Sequence, residues 1–182
     1  MNNGTKHAAD LESGTPFVLQ IVGYKNSGKT TLVCSLVEKL KAKGYRVAVI
    51  KHDAHDFEMD HAGTDTYRHR AAGASAIALV SSRQTAVIRS EELTLQKLIH
   101  DFGAYDIVLV EGFKQESYSK LVMVRREGDR ELIHQLENVK GVVTWMAAEE
   151  ELSAAGQEKA SRLAVFGKDE IAAVIDWLEH QI

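Results

Sequence analysis

Gly23-Tyr24-Lys25-Asn26-Ser27-Gly28-Lys29-Thr30 satisfies the pattern G-x-x-x-x-G-K-[ST], and Thr31 and Leu32 follow it directly. The mostly apolar run Phe17–Val22 before it reads as a buried strand. After it, Leu32, Val33, Leu36, Val37 and Leu40 recur at helical spacing, with Lys39, Lys41 and Lys43 near a stopping Gly44. A strand, a glycine-containing loop and a helix in that order are what a phosphate cradle requires. Glycines allow the backbone to approach closely, successive amides turn inward, and the helix N-terminus adds its positive end. Residues 23–30 are therefore the expected nucleotide-binding segment: the Lys29 ammonium for the β- and γ-phosphates, and the Thr30 hydroxyl for a Mg²⁺ that bridges them. Lys25 is either a second phosphate contact, in its own site or across a dimer, or a solvated loop lysine. Cys34, one turn into the helix, is expected to be a small packed residue.

Arg46–Ile50 reads as the next strand, closing a right-handed βαβ unit with parallel strands. A polar stretch from Lys51 to Gly63 leads to a short helix over Thr64–Ala72, stopped by Gly73. Ala74–Val80 and Thr85–Ile88 read as strands, Ser90 as the cap of a helix carrying Leu93, Leu98 and Ile99, and Ile107–Val110 as a strongly buried strand. Leu121–Val124, Val142–Trp145 and Leu163–Phe166 continue the alternation. Ile171, Val174, Ile175, Leu178 and Ile182 lie at helical spacing at the end. The expected fold is a three-layer α/β nucleotide-binding domain with a mostly parallel central sheet over residues 16–182, preceded by a loose tail over 1–15.

A triphosphate site needs a carboxylate at the end of a neighbouring strand to hold the metal, and Asp106-Ile107-Val108-Leu109-Val110-Glu111-Gly112 offers Glu111. The Gly112 amide is a further candidate for the γ-phosphate. The second strand ends in Lys51-His52-Asp53-Ala54-His55-Asp56, and ligands bind at the carboxyl ends of strands in open α/β sheets. Asp53 is thus either a residue that orders a metal-bound or attacking water, or a charged strand-end turn. The connection beyond it carries Asp60, His61, Asp65, Arg68, His69 and Arg70. It admits three readings: a γ-phosphate switch, a basic pocket for an anionic ligand or partner, and a transition-metal site on His52, His55 and His61. Arg68 also has Asp65 three residues before it as an ion-pair partner. The sequence contains no N-K-x-D or T-K-x-D stretch after the later strands. Trp145 is a candidate for stacking on a base or for core packing.

The chain has 182 residues, 45% of them hydrophobic, and a formal net charge of -4 with lysine and arginine dispersed. That leaves no electrostatic footprint for nucleic acid or an anionic membrane. No apolar run reaches the roughly 20 residues that span a bilayer. A single cysteine excludes an internal disulfide and suits a reducing compartment, so the cytoplasm is the expected location.

GYKNSGKTTL from Gly23, KHDAHDFEMDH from Lys51, DTYRHRAAGA from Asp65 and VEGFK from Val110 together resemble the MobB family of molybdopterin-guanine dinucleotide biosynthesis adapter proteins. The resemblance covers about 17–166. It implies a GTP-binding homodimer with weak Mg²⁺-dependent GTPase activity that assists a MobA-type guanylyltransferase in attaching GMP to molybdopterin. It implies phosphate contacts for Gly28, Lys29, Thr30 and Thr31, and catalytic or metal and water roles for Asp53 and Glu111. Arg68, His69 and Arg70 become candidates for an anionic ligand, such as molybdopterin, or for the partner. The residues alone also admit a small-molecule kinase, in which Arg68 and Arg70 clamp an acceptor, and a metallochaperone GTPase using the histidines.

Overall fold

The computed structural model describes residues 15–53, 58–146 and 163–182. The 1–13 part of the expected tail, Gly14, and His55 and Asp56 of the polar connection lie outside them. The elements are β1 (Phe17–Val22), α1 (Lys29–Ala42), β2 (Val47–Lys51), α2 (Asp65–Ala71), β3 (Ala76–Val80), β4 (Thr85–Arg89), α3 (Leu95–Asp101), β5 (Ile107–Glu111), β6 (Ser119–Val124), α4 (Glu131–Gln135), β7 (Val139–Thr144), β8 (Ala164–Gly167) and α5 (Ile171–Glu179). A 3₁₀ turn over Glu127–Arg130 leads into α4. Contacts group the chain into two compact units, one of 1–52 with 95–182 and one of 53–94.

In the larger unit six parallel strands lie in the order β2-β5-β1-β6-β7-β8. Side chains alternate across each strand, so one face of the sheet collects Leu19, Ile21, Ile107, Leu109, Leu121 and Met123, and α1 and α5 cover it with Leu32, Leu36, Leu40, Val174 and Leu178. On the opposite face Val18, Val108 and Val110 meet Leu95 and Ile99 of α3, while Val22, Val122 and Val124 meet Leu132 and Ile133 of α4. These are the three expected layers. At the amino-terminal edge of the sheet the Arg46 guanidinium sits 2.9 Å from Asp106 Oδ1, and the Arg46 N–H donates to Asp106 Oδ2 at 2.6 Å. The Arg46 hydrogen bonds hold the Asp106 carboxyl below the usual carboxylate range, against its partial burial.

The smaller unit holds α2 and an antiparallel β3–β4 hairpin closed by Ser81–Gln84. Thr64 caps α2, accepting from the Tyr67 N–H at 3.2 Å, and Asp60 Oδ1 accepts from the His61 N–H and from the hydroxyls of Thr64 and Thr66. Leu79, Val80 and Val87 of the hairpin are exposed. One expectation changes here. Ser90 caps no helix: its N–H donates to Ser75 O at 2.9 Å and extends the hairpin, and α3 begins only at Leu95, so Leu93 lies outside it. The strands expected over 74–80 and 85–88 form this two-stranded sheet and do not join the parallel one.

Candidate functional site

β1 lies inside the sheet, and its carboxyl end opens into the loop 23–28. Asn26 and Gly28 take positive φ of 62° and 97°, which turns neighbouring amides toward one side. Glycine suits position 28 for that reason. At Gly23 a Cβ would stand 2.7 Å from Ser27 Oγ and 2.9 Å from Met123 Cβ, so the loop closes against β6 only without a side chain there. Helix α1 then starts with no side-chain cap and no acidic residue in its first turn. Its leading N–H groups and the positive end of its dipole are left for an anion.

The alternation of β5 turns Glu111 to the same face as Ile107 and Leu109, the face covered by α1. Its register sets Glu111 opposite Ile21, two residues before Gly23, and opposite Lys51 at the end of β2. The Thr30 hydroxyl therefore donates to Glu111 Oε1 at 2.8 Å, and the Lys51 ammonium lies 3.8 Å from the same oxygen. Lys29 Nζ donates to the carbonyls of Gly23 at 3.1 Å and Tyr24 at 2.8 Å. Burial lowers the Lys29 pKa from its ordinary value, Glu111 opposes that shift, and the nearby Lys114 and Lys51 add to it. The hydroxyl of Thr30 and the buried carboxylate of Glu111 are hard oxygen donors on one spot, a set that fits Mg²⁺.

Around this centre the loop is held by Trp145 and by groups the sequence reading did not single out. Arg125, the residue after β6, donates to Asn26 O at 2.7 Å. Trp145, the residue after β7, donates its indole N–H to Ser27 O at 3.1 Å, and its ring lies under the Arg125 guanidinium at 4.9 Å and near Lys168 Nζ at 5.1 Å. It is 44% exposed, which corrects the expectation of core packing, and β7 ends one residue before it. The fully buried Gln20 donates Nε2 to the carbonyls of Gly112 at 3.2 Å and Phe113 at 2.6 Å, bracing the turn after β5. Two signals pointed to these groups. Gln20 is the only polar residue in FVLQIV, and Arg125 and Lys168 stand at or just past the carboxyl ends of parallel strands.

Of the remaining expected residues, Lys25 and Thr31 are exposed. Gly112 does not offer a free amide: its N–H donates to Ile21 O at 3.1 Å, continuing the parallel pairing of Glu111 with Ile21. Asp53 follows His52 directly past the end of β2 and opens the smaller unit. Within that unit Arg68 lies 3.6 Å from Asp65, while Arg70 pairs with Glu58 at 3.3 Å and stacks on Tyr67. Each arginine thus has its own carboxylate, and His69 between them in sequence is exposed. Among the described residues no three metal-ligating side chains cluster; His52 and His61 are described, His55 is not. Cys34 is exposed, because residue 34 lies off the stripe of Leu32, Val33, Leu36 and Leu40 that faces the sheet. Among the described residues no helix is long and apolar enough to cross a membrane.

A family model described as Molybdopterin guanine dinucleotide synthesis protein B matches residues 18–145. The molybdopterin-guanine dinucleotide biosynthesis adapter protein of Haemophilus influenzae is 34% identical over 167 residues, 90% of each chain. That of Escherichia coli is 39% identical over 114 residues, covering 59% of this chain and 65% of the relative. Among solved structures, Bacillus subtilis MobB superposes with a TM-score of 0.73 at 27% identity, covering 91% of this chain and 97% of that one. The hydrogenase maturation factor HypB of Archaeoglobus fulgidus, at 20% identity and a TM-score of 0.55, shares the fold. With its phosphate-binding loop, its parallel sheet and this likeness along most of its length, the chain belongs to the MobB family of molybdopterin-guanine dinucleotide biosynthesis adapter proteins.

Proposed function

We propose that the chain binds GTP with Mg²⁺ on the loop 23–31 and works as an adapter, assisting a MobA-type guanylyltransferase that attaches GMP to molybdopterin. The observation that carries the nucleotide reading is the convergence of Lys29, Thr30 and Glu111 at the uncapped start of α1. Lys29 gives its protons to two neutral carbonyls; turning to phosphate oxygens pairs the ammonium with anions in place of neutral dipoles. When bound, Mg²⁺ would supply positive charge that neutralises the phosphates. Thr30 and Glu111 are the residues that hold it, with Asp53 as a further candidate for ordering water. No second base is proposed, which suits slow hydrolysis that times an assembly. Support for guanine comes from the guanine dinucleotide in the names of the relatives.

The smaller unit supports a reading as the assembly surface. A two-stranded hairpin is marginal in water by itself, and Leu79, Val80 and Val87 leave apolar side chains exposed on both of its faces. We assign this hairpin to a homodimer contact, and the exposed Arg68 and His69 with Arg70 to the partner or an anionic ligand such as molybdopterin. The chemistry and the reduced cysteine suit the cytoplasm.

Titration of Mg²⁺-GTP into wild type and Lys29→Ala tests the nucleotide reading. Losing one charged hydrogen-bonding group from the phosphates costs about 1.5–3 kcal/mol, or roughly 10–150-fold in affinity. Equal affinities would sink the assignment of the loop.

A further inference from the structure

The segment from Gly112 to Tyr118 is held with unusual effort for a surface turn. Gln20 and Lys120 are register partners on β1 and β6, both with no exposed surface, and both reach this turn. Gln20 Nε2 donates to Gly112 O and Phe113 O, and Lys120 Nζ donates to the carbonyls of Glu116 and, at 3.1 Å, Tyr118. The Glu116 N–H closes the turn onto Phe113 O at 3.0 Å. Gly112 and Phe113 both take left-handed backbone angles, φ 103° and 51°. Burying an amide and an ammonium is costly unless they are hydrogen-bonded, so two buried polar groups devoted to one turn point to a side chain that the turn must aim.

That side chain is Lys114. Its ammonium lies 4.4 Å from the ring centroid of Tyr24, the residue of the phosphate loop whose carbonyl accepts from Lys29. The Tyr24 hydroxyl in turn donates to Glu131, which fixes the ring. Lys114 is half-buried and forms no ion pair among the described residues. Lys51 lies 3.8 Å from Glu111, and Glu111, Lys114 and Lys51 each act electrostatically on Lys29. Three ammonium groups against one carboxylate leave two positive charges, which match the charge of a nucleoside triphosphate bound to one Mg²⁺.

We propose that Lys114 is a second phosphate-binding cation, supplied within the same chain, which leaves the Tyr24 ring to engage the terminal phosphate of a bound nucleoside triphosphate. This rests on the nucleotide reading of the site. Tyr24 parks the cation in the free protein through the negative face of its ring, a contact worth less than an anion at the same distance.

The test is a set of titrations with Mg²⁺-GTP and Mg²⁺-GDP on wild type, Lys114→Met and Lys114→Arg. Lys114→Met is expected to weaken GTP about tenfold and GDP less than about twofold, while Lys114→Arg, which keeps the charge, stays within about threefold of wild type for both. Unchanged GTP affinity in Lys114→Met, or equal losses for GTP and GDP, overturns the proposal and leaves Lys114 as a cover for Tyr24. Retained GDP binding shows that the variant is folded. A wild type that binds neither nucleotide refutes the underlying reading, and the role of Lys114 with it.

Discussion

Replacing Gln20 by leucine separates hydrogen bonding from packing at the centre of the sheet. The side chain is fully buried on β1, and its amide satisfies two carbonyls, Gly112 O at 3.2 Å and Phe113 O at 2.6 Å, while its own Oε1 has no partner among the described residues. Leucine has nearly the same volume, so no large cavity opens. Two backbone acceptors lose their donor, at about 1–1.5 kcal/mol each, and removing the unpaired Oε1 returns about 1 kcal/mol. The net loss is about 1–2 kcal/mol, which for a chain of this size lowers Tm by roughly 2–8 °C. Gln20→Ala adds a cavity term and is expected to lose about 2–4 kcal/mol. Thermal and urea unfolding of the three proteins measure both differences. Because the brace also sets Glu111 and Lys114, Gln20→Leu should weaken Mg²⁺-GTP more than GDP. A Gln20→Leu protein as stable as wild type, with unaltered triphosphate affinity, would refute the view that this amide positions the turn.

Two further outcomes follow from the edges of the two units. The Asp106 carboxyl is held below its ordinary value of 3.8, chiefly by the Arg46 hydrogen bonds. Its contribution to stability is therefore present above that value and fades as pH falls through the lower folded-state value. The Tm gap between wild type and Asp106→Asn should be widest near neutrality and close below about pH 4; a gap that does not vary with pH contradicts it. For the smaller unit, Val87→Asp on the exposed hairpin should shift sedimentation at micromolar concentration from dimer to monomer. A dimer that survives this change removes the hairpin from the interface.

The parts of the site that are local in sequence were readable, and the parts set by strand order were not. The β1–loop–α1 segment is contiguous, so its motif, its flanking periodicities and its geometry agree to within a residue or two. Glu111 could be singled out as a carboxylate at the end of a strongly apolar strand, and the register of that strand sets it beside Thr30. Gln20, Lys120, Arg125 and Trp145 act through neighbours that are distant in sequence. That β6 pairs with β1, and β7 with β6, decides that they meet the loop and the turn after β5. No pattern within a single strand carries that information. The Ser90 expectation failed for a related reason: a helix-capping residue type is also a good hairpin-end residue, and its N–H went to Ser75. Cys34 was legible in principle, since the stripe that buries Leu32, Val33, Leu36 and Leu40 turns residue 34 outward.

The central claim is that Mg²⁺ and a guanine nucleotide meet at Lys29, Thr30 and Glu111. Calorimetric competition of GTP against ATP on the wild-type protein, with Mg²⁺ and with the metal chelated, tests it most directly. GTP is expected to bind more tightly than ATP, with a clear loss of affinity without Mg²⁺. Preference for ATP, or GTP binding indifferent to Mg²⁺, would contradict it.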